Sequence, residues 1–197
     1  LGLYFSGHPV DAYLNEARKY TSARIAELSA RGKKVVNIIG LLLGIRKIIT
    51  KRGKKMLILN IDDNSAKIDV AVFEEIIEDF QDAIVKDEVI IVEGEVSQDK
   101  FTGGVKMAAK RIFSVEGARE TFNKRLCLDF SEKDADKLSN LKAILESSPG
   151  DLPVIIRYKS HEASADIALS NNYAVSPSES LTSSLRSLLG DSALEFK

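Results

Sequence analysis

The most constraining feature of this sequence is the stretch from residue 33 to residue 115, which is dense in β-branched residues and is interrupted at intervals by turn residues. Val and Ile favour strands, whereas Gly, Asn and Asp favour the turns between them. Apolar residues recur at helical spacing over 74–83, so a helix is predicted there. The other apolar runs predict five strands, over residues 35–49, 56–61, 67–73, 88–96 and 105–113.

The first predicted strand is long and contains Gly40 and Gly44, which would let it bend sharply, as strands do at barrel corners. The predicted order is therefore three strands, a helix and two more strands. This is the order of a five-stranded OB barrel, a fold that binds oligonucleotides and oligosaccharides. A small barrel of another kind remains the alternative interpretation.

The segments on either side of this stretch have different patterns. Residues 1–32 are too short to fold alone and carry apolar residues at helical spacing, so we expect a short helical connector. Residues 116–197 predict a small α+β domain that contains two helices and the short strands 126–130, 154–158 and 165–169. The predicted fold class is thus mixed β and α+β: an N-terminal connector, an OB barrel over 33–115 and an α+β domain over 116–197.

Two sequence patterns set the predicted helix bounds in the last region. The first helix begins at Ser131 and is stopped by Pro149-Gly150. The second follows the segment Ser176 to Glu179, which resembles a capping box with Pro in the first turn, and it ends at Gly190.

The total charge is balanced, with 28 Lys and Arg against 29 Asp and Glu, but the charges are unevenly placed. A basic run covers the end of the first strand, its turn and the start of the second strand. The run contains no acid and consists of Arg46, Lys47, Lys51, Arg52, Lys54 and Lys55. Such a cluster suits the phosphates of single-stranded nucleic acid. The alternative interpretation is a solvated hairpin that only keeps the protein soluble.

A second loop supports the nucleic-acid hypothesis. In an OB barrel, the loop between strands one and two and the loop between strands four and five flank the ligand-binding face. The latter loop contains Lys100 and Phe101, and Lys106 follows it. Phe101 is the predicted stacking residue, whereas Phe73 and Phe113 lie at strand ends and are expected in the core. The first, second and fourth predicted strands contain no aromatic residue and the chain has no Trp, so we expect weak, largely electrostatic and sequence-tolerant binding.

The residues that carry most enzyme chemistry are scarce. The single cysteine, Cys127, excludes an internal disulfide and a cysteine-based zinc site, and favours a reduced, cytoplasmic setting. His8 and His161 have no neighbouring nucleophile or metal-ligand pattern, and no glycine motif fits a phosphate loop. We therefore predict no active site, cofactor or metal. No apolar run reaches the roughly 20 residues of a membrane span. Because the sequence begins with Leu1, we expect a piece of a longer chain.

Three stretches carry a resemblance to a known family. They are residues 1–9 (LGLYFSGHP), residues 50–56 (TKRGKKM) with the strands that follow, and residues 188–197 (LLGDSALEFK). Together they resemble the C-terminal part of the bacterial replicative DNA polymerase III alpha subunits. The resemblance implies that the catalytic carboxylates and the internal clamp-binding motif lie upstream, so neither falls on a residue of this chain.

The resemblance also implies two partners. The OB domain of this family is taken to contact the single-stranded template, and the last domain is taken to dock the clamp-loader tau subunit. The rest of the polymerase chain would connect both domains to the sliding clamp. We place the tau contact on the final helix and tail, and expect Phe196 to pack loosely because it lies next to the chain end. The predicted tau residues are Leu185, Leu188, Leu189, Leu194 and Phe196.

Two alternatives from other functional classes stay open. One is an anticodon-binding OB domain of a tRNA synthetase, although such domains stack RNA bases on strand aromatics that are sparse here. The other is an OB module that binds protein alone.

Overall fold

The structure is a computed structural model of the chain, and it describes residues 9–13, 16, 19–29, 35–99 and 103–197. The chain divides into two compact units, residues 1–115 and residues 116–197. Each unit has its own hydrophobic core.

The first unit is built around a closed five-stranded barrel in the order β1-β2-β3-β5-β4. Strands β3 and β5 are parallel, and every other pair is antiparallel. One helix, α1, lies between β3 and β4, so the predicted OB barrel is confirmed. The elements are β1 (Val35–Ile49), β2 (Lys55–Asp62), β3 (Lys67–Phe73), α1 (Glu74–Phe80), β4 (Val89–Gln98) and β5 (Val105–Ser114).

Strand β1 closes the barrel because it pairs with two partners. Its first half pairs with β4 and its second half with β2, and the register with β2 shifts between Leu42 and Gly44. Gly40 lies against Ile61 and the carbonyl of Asp62, where a Cβ would clash with the Ile61 side chain. The predicted bend in the first strand is therefore present, with a close approach at Gly40 and a bulge at Gly44.

The second unit is a four-stranded sheet in the order β10-β6-β8-β9, with β6 and β8 parallel. Helices α3 and α4 pack their leucines against the apolar side chains of β6 and β8, which forms the core of the predicted α+β fold. The elements are α2 (Val115–Phe122), β6 (Leu126–Ser131), α3 (Leu138–Glu146), β7 (Pro149–Leu152), β8 (Val154–Lys159), β9 (Ser164–Ala168), α4 (Glu179–Leu189) and β10 (Leu194–Phe196).

The cap of α4 differs from the prediction. Ser178, not Ser176, is the N-cap residue, and its side-chain oxygen accepts a hydrogen bond from the Leu181 N–H at 3.1 Å. Pro177 therefore precedes the helix instead of occupying its first turn. The helix ends at Gly190, whose φ of 94° is accessible mainly to glycine.

Candidate nucleic-acid interface

The β1–β2 hairpin presents the basic run at its tip. The turn is closed by hydrogen bonds between the backbones of Thr50 and Lys54 (2.9 Å) and from Gly53 N–H to the Thr50 carbonyl (2.9 Å). Gly53 has a φ of 76°, a conformation that a side chain would strain. Lys51 and Arg52 occupy the outer positions of this turn and are exposed. A tight turn thus places two cations in solvent at the end of the barrel.

Two cations of the run are held by carboxylates from elsewhere in the barrel. Arg46 donates to Asp69 of β3 at 2.8 Å, and Lys54 donates to Glu75 of α1 at 2.6 Å. The Lys54 hydrogen bond lowers the pKa of Glu75, and the same bond raises the pKa of Lys54. Both pairs are exposed, so they position the side chains more than they stabilise the fold.

The remaining cations of the run differ in this respect. Within the described part of the chain, no ion pair joins Lys47, Lys51, Arg52 or Lys55 to a carboxylate. The predicted basic run is therefore two sets, one anchored to acids and one available to a ligand.

A groove of about 330 Å³ crosses the outer face of the barrel and brings together two residues predicted from separate loops, Arg46 and Lys106. Asp69 lies on its wall and accepts from Asn60 at 3.0 Å as well as from Arg46. Lys106 lies 4.0 Å from Asp99. The cations of this groove are thus matched by acids. Phe101, the predicted stacking residue, lies outside the described residues, as does Lys100.

Next to the hairpin turn, the same outer face carries a row of apolar side chains that we call the apolar row: Ile48, Met56 and Phe73. Ile48 pairs with Met56, and Met56 pairs with Phe73, so the row crosses three adjacent strands. Ile48 is 38% exposed and Phe73 is 44% exposed. The expectation that Phe73 belongs to the core is wrong, whereas Phe113 is buried as expected.

The exposure of Phe73 follows from strand alternation. Ile68, Val70 and Val72 are buried in the barrel, so the intervening residues of β3 point outward. Phe73 is the next residue in that outward series. The alternation of apolar and polar residues in β3 is visible in the sequence, but a residue at a strand end is easily assigned to the core instead.

The second unit places the predicted tau residues at different depths. Leu185 and Phe196 are 0% and 5% exposed and belong to the core. Leu188, Leu189 and Leu194 are partly buried at its margin. Phe196 lies in β10, which pairs with β6, and the Arg119 guanidinium lies 5.4 Å from the centre of its ring. The expectation that Phe196 packs loosely is therefore wrong.

The described residues contain no group of three or more His, Cys, Asp or Glu side chains arranged to hold a metal ion. In the same part of the chain, no helix has the length and apolar character needed to cross a membrane. Cys127 is buried.

Solved structures similar to part of this chain come from several sources. They include a mitochondrial single-stranded DNA binding protein, Rim1, from S. cerevisiae (14% identity, TM-score 0.36, 43% of this chain and 96% of that chain). A domain of replication protein A from Methanococcus maripaludis is 19% identical, with a TM-score of 0.39, over 47% of this chain and 93% of that chain. At these TM-scores the likenesses carry no argument about function.

Two family models match the chain, one in each unit. Residues 36–115 match an OB-fold nucleic acid binding domain. Residues 140–190 match the C-terminal domain of DNA polymerase III subunit alpha.

Curated relatives match the chain from end to end. The DNA polymerase III subunit alpha of Vibrio cholerae is 34% identical over 201 residues, and that of Escherichia coli (strain K12) is 34% identical over 203 residues. Each match covers 100% of this chain and 17% of the relative, so the chain spans about a sixth of the relatives' length. The resemblance found in the sequence is confirmed: the chain belongs to the family of DNA polymerase III alpha subunits and corresponds to the C-terminal region of that protein.

Proposed function

We propose that this chain is a non-catalytic region of a replicative DNA polymerase, in which the barrel contacts the single-stranded template and the second unit docks the clamp-loader tau subunit. The remainder of the polymerase chain would carry the catalytic carboxylates and the link to the sliding clamp. The main support for the template contact is the β1–β2 turn, which holds Lys51 and Arg52 in solvent without a carboxylate partner in the described part of the chain.

The electrostatics of the turn fit a phosphate backbone. Cations that neutralise phosphates release counterions, so binding to a single strand weakens with salt by a slope of about −0.7 per phosphate contacted. Cations already paired with carboxylates, such as Arg46 and Lys54, must exchange one partner for another and gain less. The turn is therefore the part of the basic run that contributes most to binding.

The sharpest test reverses the charge of the two turn residues, Lys51 and Arg52. The double variant K51E/R52E should bind a labelled single-stranded oligonucleotide more weakly, with a salt slope reduced by about 1.4, which is two phosphate contacts. Lys54 is left unchanged because a glutamate there would face Glu75 and disturb the turn. Fluorescence anisotropy over a salt series measures both quantities.

A matched control changes the net charge equally at exposed lysines of the second unit. K133E/K159E should leave the salt slope unchanged, since both lysines are exposed and neither lies on the barrel. Equal losses in both double variants would mean that net charge alone governs binding, and the turn would lose its assigned role.

We propose that tau contacts the margin of the second core, where Leu188, Leu189 and Leu194 are partly exposed. Leu185 and Phe196 would support this surface from beneath. Acids outnumber bases in residues 116–197, which suits a protein partner better than nucleic acid. The resemblance to the polymerase family supplies the identity of the partner.

Point variants test the tau contact better than removal of the tail. Deleting residues 191–197 would remove β10, which pairs with β6, and would damage the fold. L189K should weaken capture of purified tau without loss of structure by circular dichroism. L138K is the matched control, because Leu138 is a 56% exposed leucine on another helix of the same unit. Retained tau binding by L189K and by L188K would move the contact to another surface.

A further inference from the structure

We propose that the apolar row is a base-stacking subsite for single-stranded nucleic acid, and that the Phe73 ring is its platform. The inference rests on the proposed template contact and deepens it, because it adds a base contact on the barrel strands to the phosphate contacts that the basic run predicts.

The apolar row lies directly beneath the basic turn. The Ile48–Met56 pair is followed by one more pair, Ile49–Lys55, before the turn begins. Phe73 extends the row onto the third strand by pairing with Met56. Consecutive residues along a strand are about 3.3 Å apart, so the ring and the turn cations lie within the span of a few nucleotides.

The apolar row is not required by the barrel core. The core is filled from the opposite side of these strands by residues such as Leu59, Val70 and Val72, each 0% exposed. Phe73 keeps 44% of its surface exposed and Ile48 keeps 38%. Exposed apolar side chains that adjoin one another mark a surface with a binding role more often than scattered ones do.

The charges around the apolar row favour a bound nucleotide whose base lies on the row and whose phosphate lies toward the basic turn. Two acids follow Phe73 directly, but Glu75 is held by Lys54, and Glu74 accepts from the Lys55 N–H at 3.4 Å. Both acids are thus tied to the hairpin on the α1 side. The turn cations remain available for phosphate, whereas the neighbouring groove pairs its own cations with Asp69 and Asp99.

A flat aromatic ring beside exposed cations suits a nucleobase particularly well. Every base has a π-face, so stacking is tolerant of sequence, as a template contact requires. Stacking on one ring also adds a contribution that salt does not screen. The structure therefore predicts an affinity with two separable parts, one set by the turn and one by Phe73.

The absence of Trp from the chain gives a direct test of stacking. F73W places a single tryptophan in the apolar row of the full chain, and V85W places one at a 48% exposed apolar position of the same unit. Adding oligothymidylate of about 16 nucleotides should quench F73W and leave V85W unchanged. Equal quenching of both variants, or of neither, would overturn the inference.

Affinity measurements supply the second arm. F73A should bind the oligonucleotide about 5- to 100-fold more weakly at every salt concentration, with the wild-type salt slope, and F73Y should restore binding. K51E/R52E should show the opposite pattern, with a changed slope. F73L keeps apolar bulk without a ring, so it should lose affinity as F73A does if stacking on the ring is what binds the base.

The outcomes separate the two proposals. Wild-type affinity in F73A and F73L, together with wild-type salt dependence, would overturn the stacking subsite and leave the template contact standing. Salt-insensitive or undetectable binding by the unmodified chain at low ionic strength would overturn the template contact, and the subsite with it.

Discussion

The barrel and the second unit each contain a phenylalanine at the end of a strand, and the two side chains differ in exposure. Phe73 ends a strand inside the chain, yet 44% of it is exposed, whereas Phe196 is next to the last residue and only 5% is exposed. Strand register explains both. Phe73 follows the outward series of β3, and Phe196 lies on the inward side of β10 opposite Leu126, which is fully buried.

The comparison teaches that position along the chain is a poor guide to exposure in small sheets. A strand end inside the sequence can face solvent, and a chain end can complete a core once it pairs with a neighbouring strand. It also separates two kinds of apolar residue in this protein: one kind is available for binding, and the other holds a unit together.

Replacing each phenylalanine by alanine sharpens this difference and gives the largest expected effect. F196A should reduce the free energy of unfolding of the second unit by about 3–5 kcal/mol, because it opens a cavity in the core. F73A should change the stability of the barrel by less than about 1 kcal/mol, since its ring is already partly in water. Urea unfolding of the full chain measures both, and similar losses in the two variants would break the comparison.

Two arginines extend the comparison to charged groups. Arg119 is fully buried in the second unit, donates to the Pro177 carbonyl (3.4 Å) and Glu179 (3.2 Å), and lies over Phe196. Arg46 makes a shorter bond to Asp69, at 2.8 Å, but its side chain is 67% exposed.

Burial, not bond length, should decide how much each arginine stabilises its unit. R119A should reduce the free energy of unfolding by about 2–4 kcal/mol, because packing and buried hydrogen bonds are lost together. R46A should change it by less than about 1 kcal/mol, as exposed ion pairs do. The same urea titration applies, and a larger effect for R46A would contradict the argument.

The fold was largely predictable from the sequence. The β1 and β3 bounds match the predicted ones, because runs of β-branched residues bounded by turn residues leave little choice. The site was less predictable. Asp69 and Glu75, which anchor Arg46 and Lys54, lie more than twenty positions away along the chain, and only the closed barrel brings them together.

Gly40 and Gly44 were both predicted from the sequence to allow the bend in β1, but their surroundings in the structure differ. A Cβ on Gly40 would clash with Ile61 and the Asp62 carbonyl, whereas a Cβ on Gly44 meets nothing within 4 Å. G40A should therefore destabilise the barrel by about 1–3 kcal/mol. G44A should be close to neutral, and thermal unfolding of the two variants measures the difference.

Two aspartates, one in each unit, should give the smallest effect, a dependence of stability on acid. Burial alone would raise the pKa of Asp63, but hydrogen bonds from the Ser65 hydroxyl and from the backbone N–H groups of Ile25, Ser65 and Ala66 outweigh it, and the pKa is lowered. The pKa of Asp134 is lowered chiefly by its hydrogen bond from Lys137, together with one from Ser131.

Because both pKa values are lower in the folded state, each unit gains stability above the unfolded pKa of about 3.9 and loses it as the pH falls below that value. D63N should flatten this loss in the barrel, and D134N should flatten it in the second unit. In about 1 M salt, the Asp134 contribution should shrink because its main partner is the partly exposed ammonium group of Lys137. The Asp63 contribution should persist, since neutral donors in a buried turn are not screened. Urea midpoints between about pH 5 and pH 3 at low and high salt decide the matter, and a salt-sensitive Asp63 would mean that its carboxylate is held by charge instead of by the turn.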